Sequence, residues 1–181
     1  DAKVIAAHCV HVDDGEIHTF KHYNTGIAHN PSSNLKLASG FAPIQRMLEH
    51  GLNIGIGTDG PASNNDLDMF EEMRLASFMA KGATGDPTAL PAQQTLAMAT
   101  SMGARALHIG HLTGSIEPGK RADMIIVDVS AVHNSPRFQR DPQSVYAQLV
   151  YATKATDVTS VMVNGQWLMR DHQLLTLDQV D

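Results

Sequence analysis

The chain has 181 residues, a formal net charge of -6 and 43% hydrophobic residues. These values are typical of a globular protein with one sizeable core. The acidic balance argues against a nucleic-acid partner, because nucleic-acid binding normally needs a basic face. The apolar stretches are much shorter than the roughly 20 residues that span a membrane, so we expect no membrane partner either.

The cysteine content and the first residues bear on location and origin. Cys9 is the only cysteine, which excludes an internal disulfide. Because no signal peptide is apparent, we predict a reducing, cytoplasmic location. The chain starts at Asp1 and enters an apolar strand almost at once, without an initiator methionine. We therefore expect this end to be a cut edge and not a natural start.

The first two-thirds of the chain alternates short apolar runs with helical patterns. The predicted strands are 4–10, 26–29 and 52–58, and the predicted helices are 13–23, 41–50, 66–81 and 91–107. Repeated strand–helix units predict an α/β fold with parallel strands and crossover helices. Three such units cannot bury their own sheet as a closed barrel, which typically needs roughly 250 residues.

The pattern changes after Gly114. A strand is predicted at 122–127 and a helix at 142–151. Residues 158–169 are predicted to form a β-hairpin, because Asn164-Gly165 between two apolar runs is a strong turn signal. We therefore divide the chain into an α/β part, residues 1–113, and a small β-rich part, residues 114–181.

Three polar residues lie at the carboxyl ends of the predicted parallel strands: His8, His29 and Asp59. Catalytic residues of parallel barrels collect at this end of the strands. Asp59 lies in the turn-like segment 57–60, and two interpretations stay open. It is either a turn aspartate or a carboxylate at the end of a buried strand, where a metal or a polar partner must neutralise it.

The two histidines also have structural alternatives. His8 and His11 suggest a zinc-binding pair, but residues three apart on a strand point to opposite faces, so only one can reach a site. A single histidine at a strand end is often only hydrogen-bonded structure. His29 begins a segment rich in serine and asparagine, 29–34, that is typical of an ordered loop with local side-chain hydrogen bonds.

Six segments together make the sequence recognisable. They are Ala7-His8-Cys9-Val10, His29-Asn30-Pro31-Ser32-Ser33-Asn34-Leu35-Lys36-Leu37, Gly57-Thr58-Asp59-Gly60, and the stretches 65–74, 103–106 and 114–123. The sequence resembles the amidohydrolase superfamily over nearly the whole chain. Within it, the similarity is to the branch of 5-methylthioadenosine/S-adenosylhomocysteine deaminases, guanine deaminases and triazine hydrolases.

The resemblance implies a fold and a partial site. Residues 1–113 would be strands six to eight of a (β/α)8 TIM barrel with the helices up to the eighth, and residues 114–181 the C-terminal part of a composite β-sandwich. Asp59 would be a metal ligand and a catalytic residue, and it would also contribute to substrate binding. His8 would be catalytic and would contact the substrate and the metal-activated water. His29 would lie near the pocket and contribute to substrate binding.

The family's other motifs are missing from this sequence. Neither the His-x-His pair nor the strand-five histidine followed by a glutamate is present. The resemblance implies hydrolytic deamination of an aminopurine nucleoside such as 5-methylthioadenosine or S-adenosylhomocysteine, with one divalent metal: zinc, or else iron or nickel. Guanine or an s-triazine is the alternative small-molecule substrate. The chain would need the N-terminal barrel half for activity; the alternative is an inactive fragment that associates with itself as a homo-oligomer.

Overall fold

The computed structural model describes residues 2–137 and 141–177. Two sheets organise these residues, one parallel with three strands and one antiparallel with four. Asp1, at the expected cut edge, lies outside the described residues. Within the described ranges, no helix combines the length and the apolar character needed to cross a membrane.

The parallel sheet is formed by the strand–helix units predicted for the first part of the chain. Its strands, in spatial order, are β1 (Ile5–Ala7), β2 (Gly26–His29) and β3 (Ile54–Ile56). Ile27 lies opposite Ala6 on one side and Ile54 on the other. Because parallel strands run in one direction, their carboxyl ends meet at one edge of the sheet, and His8, His29 and Asp59 lie at this edge.

Eight α-helices occur among the described residues. They are α1 (Asp14–His22), α2 (Pro31–Lys36), α3 (Ile44–Glu49), α4 (Pro61–Asn64), α5 (Met69–Thr84), α6 (Ala92–Ala99), α7 (Ser101–Ala106) and α8 (Ser144–Tyr151). Asp13 and Glu16 start α1 with a reciprocal capping box. The carboxylate of Asp68 caps α5 by accepting hydrogen bonds from the amides of Phe70 and Glu71.

The main core lies between the parallel sheet and the helices that cover it. Ile17, Met47, Ile54 and Met98 are fully buried there, and burial of each such side chain contributes roughly 1.5–3 kcal/mol. Gly26 permits the closest packing, since a Cβ at this position would lie 1.8 Å from a backbone carbonyl oxygen at the end of α7. A side chain there would push α7 off the sheet.

The structure corrects three sequence predictions. The first strand ends at Ala7 and not at residue 10, because His8 and Cys9 both adopt positive φ angles, 65° and 46°. Residues 31–36 form a helix where a loop was expected, with Pro31 at its first position. The single helix predicted at 91–107 is broken at Thr100, whose φ and ψ of -131° and -103° are not helical.

The second sheet is antiparallel. Its strands are β4 (Met124–Val127), β5 (Val158–Val163), β6 (Gln166–Arg170) and β7 (Gln173–Leu174), paired in that order. The turn between β5 and β6 is formed by Asn164 and Gly165, both with positive φ, which confirms the predicted hairpin. The segment between β4 and β5 includes α8, whose buried Val150 packs in a cluster with Phe70 and Met73 of α5.

Candidate functional site

Asp59 is held in place by two serine hydroxyls. Ser33 of α2 and Ser63 of α4 each donate a hydrogen bond to Oδ2 of Asp59, both over 2.7 Å. Hydrogen bonds from Ser63, Ser33 and the Gly60 amide lower the pKa of Asp59 to about 2. The side chain is 32% exposed, so an ionised carboxylate faces the open edge of the sheet.

His8 is oriented by Asn34. Its Nδ1 lies 2.9 Å from the Asn34 side-chain oxygen, and since that oxygen only accepts, Nδ1 donates in the tautomer that forms this bond. In the neutral ring, Nε2 is then left with a free lone pair. The longer contact of the Asn30 side-chain nitrogen with the same Nδ1, 3.5 Å, belongs to the other tautomer. Nε2 lies 3.8 Å from Oδ2 of Asp59. One short helix, α2, therefore supplies both the serine that holds Asp59 and the asparagine that orients His8.

His29 forms no hydrogen bond with this pair. It follows Ile27 by two residues on β2, so both side chains point to the helix-covered face of the sheet. Its ring is 1% exposed, and neither nitrogen has a hydrogen-bond partner among the described residues. Burial, with a smaller effect from His8, lowers the pKa of His29 to about 4, so the ring is neutral at physiological pH. A role for His29 in substrate binding stays a prediction.

The donor types at this edge suit a divalent metal, although the set is partial. A carboxylate oxygen and an imidazole nitrogen are common zinc donors, and the low pKa keeps Asp59 ionised, as a metal ligand must be. Catalytic zinc sites usually have three protein ligands. No group of three or more histidine, cysteine, aspartate or glutamate side chains that could hold a metal occurs within residues 2–137 and 141–177.

The serines and the asparagine of this site were not predicted as functional residues. Ser33 and Asn34 are each 26 residues from the partner they bind, and such pairing is decided by the tertiary fold. The available signal was the serine- and asparagine-rich run directly after the second strand, which we interpreted as loop chemistry. Ser63 had no comparable signal, because the helix it belongs to was not predicted.

The Asp59 carboxylate and the His8 imidazole meet at the carboxyl ends of parallel strands. This defines an α/β protein with part of a polar site, and it lies at the edge where enzymes built on parallel strands carry their catalytic residues. Comparison with known proteins specifies the family. Residues 1–168 match the profile of the amidohydrolase family, and the chain belongs to this family.

Two solved structures and one curated relative illustrate the similarity. The chain is 51% identical, over 178 residues, to the 5-methylthioadenosine/S-adenosylhomocysteine deaminase of Moorella thermoacetica; the match covers 98% of the chain and 40% of the relative. An adenosine deaminase from Xanthomonas campestris with bound zinc superposes with a TM-score of 0.90 at 44% identity, over 96% of the chain and 38% of that protein. For the zinc complex of atrazine chlorohydrolase from Arthrobacter aurescens, the TM-score is 0.84 at 30% identity, over 97% and 38%. The chain thus spans about 40% of the length of the relatives it matches.

Proposed function

We propose that the chain is the C-terminal part of a metal-dependent hydrolase that deaminates an aminopurine nucleoside such as 5-methylthioadenosine or S-adenosylhomocysteine. The observation that carries this proposal is the ionised Asp59 carboxylate, held by two serines beside an oriented His8. Relatives that are deaminases of such nucleosides support the substrate class. The free thiol of Cys9 suits a reducing, cytoplasmic setting.

In the same proposal, residues 1–113 are strands six to eight of a TIM barrel with the helices up to the eighth. Residues 114–181 are the C-terminal part of a composite β-sandwich. The match to relatives more than twice as long supports a chain that corresponds to part of a longer protein, and the two separate sheets are consistent with the proposed division. The region of the relatives that this chain does not cover would contribute the remaining barrel strands, the other metal ligands and an acid–base glutamate.

The chain's own residues would act as follows. Asp59 would hold the metal through a carboxylate oxygen and would accept the proton of the attacking water. His8, with Nδ1 engaged by Asn34, accepts a hydrogen bond from that water through Nε2 and stabilises the charge that develops during attack. A divalent metal, zinc or alternatively iron or nickel, supplies activation of water near neutral pH when bound. Water would add to the ring carbon that bears the amino group while the acid–base glutamate of the uncovered region protonates the neighbouring ring nitrogen. Asp59 would pass the water proton to the amino nitrogen. The C–N bond would then break, ammonia would leave, and the hydroxyl proton would return to the glutamate as the ring carbonyl forms.

A complementation experiment tests the proposal. The chain is expressed alone and together with the part of the Moorella thermoacetica relative that it does not cover, and zinc content and ammonia release from 5-methylthioadenosine and S-adenosylhomocysteine are measured. We expect metal and activity only in the co-expressed sample, because the described residues supply an incomplete donor set. If a metal-loaded complex is inactive on both nucleosides but hydrolyses guanine or an s-triazine, the proposed substrate class is wrong and the alternative substrate takes its place. A complex without metal would overturn the proposed site.

A second candidate function is an inactive fragment that associates with itself. Among the described residues, β1 and β3 each pair with one strand only, and open edges of this kind recruit further strands. An apolar groove of about 720 Å³ lies between the parallel sheet and the second sheet, lined by Ile56, Met98 and Ile125 among others. Ile116, on the same groove, is 83% exposed. Such surface is normally covered by protein.

Sedimentation velocity distinguishes the states of the isolated chain. We expect it to sediment as species heavier than its 19.5 kDa monomer, with association increasing at higher protein concentration. Co-expression with the uncovered part of the relative should replace these species with one defined complex, because the same edges are then occupied. A stable 19.5 kDa monomer at all concentrations would contradict the partial-barrel interpretation.

A further inference from the structure

Glu72 is a buried carboxyl group that the proposed chemistry does not use. It lies in the first turns of α5 and is 1% exposed. Both of its oxygens are engaged: Oε2 accepts a hydrogen bond from the Ser32 amide over 3.1 Å, and Oε1 accepts one from the Asn64 side-chain amide over 2.8 Å. A carboxyl group this deeply buried is costly to retain unless it is bonded in this way.

The two partners of Glu72 lie next to the two residues that hold Asp59. Ser32 precedes Ser33, and Asn64 follows Ser63. Ser33 and Ser63 converge on the same oxygen of Asp59 from two segments that are 30 residues apart along the chain. Glu72 therefore joins the two serine-bearing segments through α5. Lys36 joins them directly as well, because its ammonium group donates to the Ala62 carbonyl and to the Asn65 side chain.

We propose that Glu72 is a positioning residue: it clamps the segment 31–37 to the segment 59–65 and thereby fixes the distance between the two hydroxyls that hold Asp59. The role rests on the proposed function only where it concerns catalysis. The positive φ of Asp59, 59°, adds a reason for such a clamp, because a non-glycine residue keeps this conformation only when its surroundings hold it there.

The clamp is tested on the full chain by amide hydrogen exchange. Glu72→Gln keeps the size of the side chain but leaves one oxygen to accept where two did so before. At least one of the two segments therefore loses its partner, and we expect exchange there to accelerate by about tenfold or more. Exchange in the strands of the second sheet should stay as in the unsubstituted chain.

Ser77→Ala is the matched control. Ser77 is a fully buried polar residue on the same helix, and its hydroxyl bonds to the Leu90 carbonyl and the Tyr151 hydroxyl, away from both segments. We expect it to lower the unfolding temperature without selective loosening of 31–37 or 59–65. Wild-type protection of both segments in Glu72→Gln, or the same selective loosening in Ser77→Ala, would overturn the clamp.

Two further measurements keep the test decisive. If Glu72→Gln does not fold, Asn64→Ala replaces it. This substitution removes one arm of the clamp together with the Asn64 bonds to the Thr58 carbonyl and the Asp66 amide. It should loosen 59–65 while 31–37 stays protected, and unchanged protection of 59–65 refutes the proposal. In the complemented enzyme, Glu72→Gln should lower kcat by about 10- to 100-fold with KM little changed, whereas Ser77→Ala should change neither. Because hydrogen exchange needs neither metal nor turnover, the clamp can be confirmed even if deamination is not found. Selective loosening with kcat unchanged would reject its catalytic role.

Discussion

Asp59→Asn in the complemented enzyme is expected to reduce kcat for deamination by about 10²- to 10⁴-fold, the range for removal of a positioned proton acceptor. The neutral amide has nearly the same shape, and its oxygen can still accept hydrogen bonds from Ser33 and Ser63. The fold around the site should therefore survive. What the substitution removes is the negative charge, which the pKa of about 2 maintains across the physiological range.

The measurement pairs steady-state kinetics with metal analysis of the same preparation. Asp86→Asn is the matched control, because its carboxylate also has a lowered pKa through hydrogen bonds from Thr88 but lies in the connection between α5 and α6. We expect this control to retain both metal and rate. Full activity of Asp59→Asn would refute the assignment of Asp59 as metal ligand and proton acceptor. A rate loss with metal retained would leave only the proton-transfer role.

The parts of this site that could be predicted from the sequence are those that local pattern decides. Apolar runs and glycines predicted the three parallel strands, and the edge at which they end follows from their direction. Asp59 and His8 were found because each lies at the carboxyl end of such a run. The end of the first strand was predicted at residue 10 but lies at Ala7. The turn at His8 depends on a positive φ angle, which the residue type does not predict.

The residues that hold Asp59 and His8 could not be predicted from the sequence, for a different reason. Ser33, Asn34 and Ser63 matter only because two short helices bring them to Asp59 and His8. Glu72 lies 40 residues from its Ser32 partner and in sequence is one acidic residue among several at the start of a helix, where acidic residues are favoured in any case. Long-range hydrogen bonds of this kind leave no periodic trace in the sequence.

The helix α5 links this site to the second part of the chain. While Glu72 reaches the segments around Asp59, Asp68 accepts a hydrogen bond from the Ala155 amide. Arg74 donates to the backbone carbonyls of Tyr151 and Thr153, over 3.1 Å each. The stretch before β5 is therefore anchored on the helix that supports the site, and the stability of that stretch bears on the geometry of both parts.

Within that stretch, Asp157 is a buried polar hub. It is 7% exposed, and Oδ2 accepts hydrogen bonds from His133 Nε2, the Asn134 side-chain amide and the Lys154 backbone amide, at 2.7, 3.1 and 3.0 Å. Burial raises the pKa of Asp157 and is the largest single influence, but the hydrogen bonds from His133, Lys154 and Asn134 together outweigh it. The pKa therefore lies below its ordinary value.

Asp157→Ala is expected to lower the free energy of unfolding by roughly 2–5 kcal/mol, because it leaves several buried donors without an acceptor. Asp128→Ala is the matched control: that carboxylate is exposed and bonds to nearby Ser130, so we expect a change within about 0.5 kcal/mol. Chemical denaturation followed by circular dichroism gives both values. Equal stability of the two variants would show that the hub contributes nothing.

The lowered pKa of Asp157 predicts how the effect of Asp157→Ala on the free energy of unfolding changes with pH. A carboxyl group with a lowered pKa in the folded state stabilises that state above its unfolded pKa of about 4, and this stabilisation is lost as the pH falls through the folded pKa. The difference in stability between the unsubstituted chain and Asp157→Ala should therefore be largest near neutral pH and shrink below about pH 4. A difference that stays constant down to pH 2 would mean that the hydrogen bonds do not depend on the charge of Asp157, which would contradict the origin assigned to its lowered pKa.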